Sequence, residues 1–118
     1  MHMKPMLSKR QKQVARNLQR VMGDILIQNA KMWFGNKIVT LTKVYVTTDL
    51  GLARFYLSLK SFDEPGEILQ LFNEQKKALR GLLGQKLKSQ MRRIPEIEFF
   101  IDDSLDDMMR MDELFNKP

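Results

Sequence analysis

The sequence predicts an α+β fold in the order helix–strand–strand–helix–strand, with a three-stranded sheet packed by helices on one face. Two long segments repeat apolar residues at three- and four-residue steps, which is typical of amphipathic helices. Three short segments instead alternate apolar and polar residues, which is typical of half-buried strands. Because each element has one apolar side, helices layered on one side of the sheet would bury all of these sides.

The first helix is predicted from Ser8 to about Met32. Ser8 is suited to cap this helix, because a serine hydroxyl can accept a hydrogen bond from a free N–H of the first turn. The apolar face consists of residues spaced three and four positions apart: Val14, Leu18, Val21, Met22, Ile25 and Leu26. Gly35 and Asn36 mark the end of the segment.

An antiparallel hairpin is predicted from residues 38–48 and 53–59. The first run is rich in β-branched side chains, which favour strands, and the second alternates small or large apolar residues with polar ones. Residues 49–51 read Asp-Leu-Gly, a turn sequence, and two alternating runs across a short turn form a hairpin. The apolar positions of the first strand are Val39, Leu41, Val44 and Val46.

A second, positively charged helix is predicted between the loop at residues 63–66 and Arg93, followed by a tight turn at Pro95 and a third strand. Proline lacks an N–H and disfavours helical geometry in the residue before it, so the helix must stop there. The helix is marked by apolar residues at Ile68, Leu71, Phe72, Ala78, Leu79, Leu82, Leu83, Leu87 and Met91. In the strand, Ile97 and Phe99 point one way, and Glu98 and Phe100 the other.

The composition of the chain excludes several classes of protein. A chain of 118 residues fits one domain with one core, and 43% hydrophobic residues argue against wholesale disorder. The absence of cysteine excludes disulfides, thiolate metal sites and thiol nucleophiles, and it fits a cytoplasmic location. The sequence contains no apolar run long enough to span a bilayer and no secretory signal pattern.

Charge is distributed unevenly along the chain. The net charge is +6, but residues 1–62 have a balance of +9, residues 63–94 of +3, and residues 95–118 of −6. A basic body with an acidic tail suggests a nucleic acid as partner, although an ordinary soluble surface can also be basic.

No catalytic centre or cofactor site is predicted. The only histidine is His2, at the chain end, so a Ser/His/Asp or Cys/His site cannot be assembled, and there is no P-loop or dinucleotide fingerprint. Asp102, Asp103, Asp106 and Asp107 could in principle hold Mg²⁺ for nucleic-acid cleavage. Their spacing gives no reason to converge on one ion, and it fits acids placed at a helix N-terminus better. We therefore predict no enzyme, no metal and no cofactor.

Basic side chains on the two helices are the candidate RNA-binding residues, with phosphate neutralisation as their role. They are Arg10, Lys12, Arg16, Arg20, Lys76, Lys77, Arg80, Lys86, Lys88, Arg92 and Arg93. We expect Lys76 and Arg80 to share one stripe, and Arg80 and Lys88 to be so exposed that replacing both with Gln leaves stability nearly unchanged. The aromatic residues that could stack on bases, although each also suits ordinary packing, are Trp33, Phe34, Tyr45, Tyr56 and Phe100.

Three segments in this order resemble the ribosome-binding factor A family of bacterial small-subunit assembly factors. The first comprises residues 39–50 (VTLTKVYVTTDL) followed by residues 53–58 (ARFYLS), and it resembles the hairpin of the family. Residues 79–84 (LRGLLG) are similar to its basic second helix. Residues 93–99 (RIPEIEF), with residues 102–104 and 110–112, are similar to its third strand and tail, so the resemblance covers most of residues 8–115.

The sequence suggests a division of the chain into three parts, and the resemblance implies that the middle part has a type II KH-like fold. Residues 1–7 would form a flexible N-terminal end, residues 8–103 a KH-like RNA-binding domain, and residues 104–118 an acidic tail compatible with a short docked helix. The resemblance also implies a cytoplasmic monomer that binds the small ribosomal subunit and its rRNA, with roles in late subunit maturation, rRNA processing near the rRNA ends, and growth after cold shock.

One feature departs from the family pattern, and two other functions stay open. Family members usually have an Ala-x-Gly kink within the second helix, where this chain aligns residues 75–77 (QKK), so Gly81 or Gly84 is a candidate for the bend. One alternative function is a basic KH-like DNA- or RNA-binding module unrelated to ribosome assembly. The other is a metal-dependent nuclease that uses the acidic cluster.

Overall fold

The structure, a computed structural model, describes residues 7–102. Three helices and three strands follow one another as α1, β1, β2, α2, α3 and β3. Their bounds are Lys9–Phe34, Thr40–Val46, Leu52–Ser58, Pro65–Glu74, Lys76–Leu87 and Glu96–Ile101, respectively. No helix in the described residues is long and apolar enough to cross a membrane. Predictions for residues 1–6 and for a tail helix from Ser104 onward lie outside the described residues.

The three strands form one sheet in the order β1–β2–β3. Strands β1 and β2 pair antiparallel, as the predicted hairpin requires, with Val46 opposite Ala53. Strands β2 and β3 pair parallel, with Leu52 opposite Glu96, and α2 and α3 form the crossover between them. The helices pack on one face of this sheet, α1 against β1, and α2 and α3 against β3. The predicted α+β architecture is confirmed.

A bulge in β1 explains the change of phase in its apolar pattern. Leu41 is opposite Leu57, but Lys43 is opposite Tyr56, so Thr42 is an extra residue in the ladder. An extra residue moves the following side chains to the other face of the strand. The apolar positions therefore shift from Leu41 to Val44 without leaving the core side.

The core lies between the sheet and the helices and contains the predicted apolar stripes. Leu79, Leu83 and Leu87 of α3 are buried, and α1 buries all six residues predicted for its apolar face. The phenyl rings of Phe55 and Phe99 lie 5.5 Å apart between centroids, and Phe72 of α2 lies 5.1 Å from Phe99. These rings connect the second and third strands to α2.

The free edge of β3 is held by a side chain of α2. Asn73 Oδ1 accepts a hydrogen bond from the Phe99 N–H at 3.0 Å, and Asn73 Nδ2 donates to the Phe99 carbonyl at 3.3 Å. The amide thereby replaces part of a missing neighbouring strand and satisfies backbone groups that would otherwise lack partners at the edge. Asn73 could not be singled out from the sequence, because Phe99 is 26 residues away in the chain.

Candidate nucleic-acid interface

The amino-terminal end of α1 is basic and is closed by a cap. Ser8 Oγ accepts from the Gln11 N–H at 3.0 Å, and Gln11 Oε1 accepts from the Ser8 N–H at 2.9 Å, so Ser8 and Gln11 form a capping box. The first turn contains no acidic residue, and Arg10 and Lys12 are exposed. Since a helix N-terminus also has a partial positive charge, this end favours an anion.

Gln11 fixes this helix end to the sheet. It is the one polar side chain among the buried residues of the described chain, at 4% exposure. Its Nε2 donates to the Val46 carbonyl at 3.0 Å, at the end of β1. The contact holds the start of α1 beside the turn between β1 and β2. It could not be predicted, because a glutamine within a basic run gives no sign of a partner 35 residues away.

A second basic segment leads from α3 to β3. Its position corrects the prediction that the second helix continues to Arg93. The helix ends at Leu87, so Lys88, Arg92 and Arg93 follow the helix instead of lying on its polar face. The chain turns because the Leu87 carbonyl accepts from two later N–H groups, those of Gln90 at 2.9 Å and Met91 at 2.8 Å. The side chain of Met91 is buried, which draws the segment onto the core and leaves the three cations exposed.

The two basic segments meet at the same end of the sheet. The Glu96 N–H donates to the Gly51 carbonyl at 2.9 Å, so the segment before β3 adjoins the turn between β1 and β2, as the start of α1 does. The two anchoring points are on outer strands, roughly 10 Å apart, or two strand spacings. We call this region the basic end and define it as Arg10, Lys12, Lys88, Arg92 and Arg93. Arg16 and Arg20 extend it along α1, and Lys86 precedes it on α3; all three are exposed.

Asp49 lies beside the basic end, in the turn between β1 and β2, and its carboxylate is held by hydrogen bonds. Its Oδ1 accepts from the Gly51 N–H at 2.9 Å and from the Thr47 hydroxyl at 2.8 Å. These hydrogen bonds, followed by a smaller contribution from the charge of Arg93, lower the pKa of Asp49 below its usual 3.8.

We expect Asp49 to stabilise the fold at neutral pH and to lose this contribution in acid. Its folded pKa is lower than its unfolded pKa, so the contribution is present above the unfolded pKa and disappears as pH falls through the folded one. The urea midpoints of wild type and Asp49→Asn should therefore differ less in strong acid than at neutral pH. Equal differences at both pH values would contradict this interpretation.

Arg80 is half-buried and bound to the segment before β3, which corrects the expectation that its side chain is exposed. It follows Lys76 by four residues on α3, as the predicted stripe requires. Its Nε donates to the Pro95 carbonyl at 2.9 Å and its Nη2 to the Ile94 carbonyl at 2.6 Å, while Nη1 lies 3.6 Å from Glu96 Oε1. The guanidinium therefore holds the carbonyl groups at the start of the strand. Its role as a phosphate contact stays a prediction.

Replacing Arg80 with Gln should lower the free energy of unfolding by about 1–3 kcal/mol, because it removes two hydrogen bonds from a charged donor. The matched control is Lys88→Gln, whose exposed side chain should change stability by less than about 0.5 kcal/mol. Urea denaturation of both variants measures the difference. Equal stability of the two variants would show that the carbonyl contacts of Arg80 do not support the fold.

Lys76 and Lys77 lie at the opposite end of the molecule from the basic end. They begin α3, next to Gln75 and Ala78, which line an apolar groove together with Trp33 at the end of α1. Helices α1 and α3 therefore run antiparallel. The candidate RNA-binding residues predicted on the second helix separate into two groups, one at each end of α3. Both lysines are exposed.

Three of the residues predicted to stack on bases already contact other side chains: Tyr45, Tyr56 and Phe100. Tyr56 and Phe100 stack across β2 and β3 with centroids 5.5 Å apart, and Lys43 Nζ lies 4.6 Å from the Tyr56 centroid. On the same sheet face, the Arg54 guanidinium lies 5.9 Å from the Tyr45 ring centroid. These rings cover the sheet face that has no helix, so base stacking there would have to displace existing contacts.

The acidic cluster is described only at its first member. Asp102 Oδ2 accepts from the Thr42 hydroxyl at 2.5 Å, across the end of the sheet. Within residues 7–102, no group of three His, Cys, Asp or Glu side chains is placed to hold a metal ion. Asp103, Asp106 and Asp107 lie outside the described residues.

Comparison with known proteins establishes the family. Residues 10–115 match the family model of ribosome-binding factor A. The chain is also 38% identical over 112 residues to the ribosome-binding factor A of Cytophaga hutchinsonii, covering 95% of this chain and 84% of that protein. The chain belongs to the ribosome-binding factor A family. A relative from Flavobacterium psychrophilum is 36% identical over 108 residues, covering 91% of this chain and 83% of that protein.

Solved structures confirm the KH-like fold. The crystal structure of ribosome-binding factor A from Thermus thermophilus aligns with a TM-score of 0.60 at 18% identity, covering 77% of this chain and 94% of that chain. A Thermus thermophilus ribosome-binding factor A model, fitted into a cryo-electron-microscopy map of its complex with the 30S subunit, aligns with a TM-score of 0.57 at 18% identity. It covers 73% of this chain and 88% of that chain.

The predicted second helix is broken at Gln75, at the start of residues 75–77, where the sequence was expected to depart from the family pattern. Gln75 ends α2 and precedes α3, with φ −95° and ψ 6°. Gly81 and Gly84 lie inside α3 and do not supply the bend. The structure therefore has two helices where the sequence predicted one.

Proposed function

We propose that this protein binds the small ribosomal subunit through its basic end and acts in late maturation of that subunit. The observation that carries the proposal is the convergence of α1 and the segment before β3, which gathers exposed cations from both at one edge of the fold. Phosphates of folded rRNA are a fitting ligand, because such cations bind the backbone of RNA and recognise its shape more than its sequence.

The family supports the ribosomal target. A relative with the same fold is described in complex with the 30S subunit, and the chain shares the family over nearly its whole length. The finer proposal includes a cytoplasmic, non-enzymatic monomer that binds rRNA, assists processing of the small-subunit rRNA and supports growth in the cold. In this proposal, Arg10, Lys12, Lys88, Arg92 and Arg93 neutralise phosphates, and Arg16, Arg20 and Lys86 extend the contact.

Sucrose-gradient sedimentation of the tagged protein in cell lysate tests this function. We expect the protein to migrate with free small subunits, and to leave them when salt is raised, because phosphate contacts release counterions. Migration only at the top of the gradient would contradict the proposal. Displacement from subunits by duplex DNA at comparable concentration would instead favour a general nucleic-acid-binding module.

A further inference from the structure

An apolar groove lies at the end of the molecule opposite the basic end. Its volume is about 450 Å³, and its walls come from three places: the end of α1, the loop after β2, and the two helices around Gln75. Trp33, Phe34, Phe62, Leu71, Phe72 and Leu79 line it. Trp33 remains 41% exposed and Leu71 53% exposed within the described residues. Apolar surface of this kind, gathered in one groove, is typical of a site that another segment covers.

We propose that the carboxyl-terminal segment of this chain, residues 105–115, docks in this groove. The described part of the chain ends close to the groove. The Asp102 N–H donates to the Leu57 carbonyl, and Phe62, five residues after Leu57, lines the groove. Phe99, three residues before Asp102, packs on Phe72 of the groove wall. The segment begins three residues after Asp102, and three residues of extended chain span at most roughly 10 Å. It therefore starts at the same end of the sheet as the groove.

The sequence of this segment suits an apolar groove. Five of its six apolar residues, all but Leu114, fall at steps typical of one face of an amphipathic helix: Leu105, Met108, Met109, Met111 and Phe115. Methionine side chains adapt to irregular apolar surfaces, which suits an open groove. Eleven residues in a helix would span roughly 16 Å, a length comparable with the wall that α2 and α3 provide.

The net charge of the segment is opposite to that of the lysines beside the groove. Residues 103–118 contain five acidic and two basic side chains. Lys31, Lys76 and Lys77 are exposed and lie within two residues of groove-lining positions on α1 and α3. Glu67 and Glu74 of α2 lie equally close in sequence to the lining and oppose this attraction. Charge complementarity therefore favours an approach from the α1 and α3 side of the groove.

A spin label on the segment tests the proposal in the full chain. The sequence contains one Trp and no Cys, so Trp33 gives a single indole N–H signal in NMR, and Glu113→Cys gives a single site for a nitroxide. We expect the label at position 113 to remove most of the Trp33 signal, and reduction of the nitroxide to restore it. The matched control is a label at Gln13→Cys, which is exposed and roughly 30 Å from Trp33 along α1, and should leave the signal intact.

Two further measurements distinguish docking of this segment within its own chain from other ways of filling the groove. Adding Met108→Asp and Phe115→Asp to the labelled chain should restore the Trp33 signal, because docking depends on the apolar face. Mixing spin-labelled protein with isotope-labelled protein that has no nitroxide should have no effect. Loss of signal in the mixed sample as well would mean that the segment of a second copy fills the groove. That result, or an unchanged Trp33 signal in the labelled chain, would overturn the proposal.

Discussion

Truncation of Leu83 to Ala is expected to lower the free energy of unfolding by about 2–5 kcal/mol. Leu83 is fully buried at the centre of α3, within the core between the sheet and the helices. Removing its branched end leaves a cavity that the surrounding rings and helices can fill only in part. Urea denaturation of the variant measures the loss.

Gly81→Ala is the matched control, because it changes the same helix on its exposed side. Apart from its chain neighbours and the backbone of the adjacent helical turns, no atom lies within 4 Å of the position that a Cβ would occupy at Gly81. Alanine should therefore stabilise α3 by roughly 0.5–1 kcal/mol, because it restricts the unfolded chain without a clash. A loss of less than about 1 kcal/mol for Leu83→Ala would contradict the packing of α3 on the sheet.

Removal of charge from the basic end is expected to have the largest effect on function. In the variant with Arg10, Lys12, Arg92 and Arg93 all replaced by Gln, affinity for purified small subunits should fall at least about tenfold at physiological salt. The dependence of log affinity on log salt should become shallower by about 1 for each replaced cation that contacts a phosphate. Binding titrations at several salt concentrations measure both quantities.

Two double variants test whether this loss of affinity comes from the basic end or from any loss of positive charge. Arg92→Gln with Arg93→Gln removes two charges from the basic end, whereas Lys37→Gln with Lys60→Gln removes two exposed charges elsewhere. All four changes should leave stability nearly unchanged, since exposed charges contribute little. Equal losses of affinity in the two double variants would mean that net charge matters and that the basic end has no special role.

Much of the fold could be predicted from local patterns. The cap at Ser8, the alternation in β2 and the strand after Pro95 depend on residues close in sequence, and the structure has each of them. The phase shift at Thr42 was visible as a change in apolar spacing, although only the register identifies it as a bulge. Local signals of this kind are sufficient because one face of each element must be buried.

The site was predicted less completely, because its decisive contacts join residues far apart in the chain. Gln11 reaches Val46, Asn73 reaches Phe99, and Arg80 reaches the carbonyl groups before β3. A basic residue on a helix gives the same sequence pattern whether it faces solvent or a loop carbonyl. The end of α3 was placed too late for a related reason, since the buried side chain of Met91 fits the apolar spacing of a helix that has already ended.

Photo-crosslinking within the small-subunit complex tests most directly whether the basic end faces rRNA. Gln90 is exposed in the segment before β3, and replacing it with benzoylphenylalanine places the crosslinker at the basic end without removing a cation. Lys60 is exposed in the loop after β2, near the opposite end, and serves as the comparison site. We predict a crosslink to small-subunit rRNA from position 90 and none from position 60. A crosslink to rRNA from position 60, with none from position 90, would show that another surface faces the ribosome.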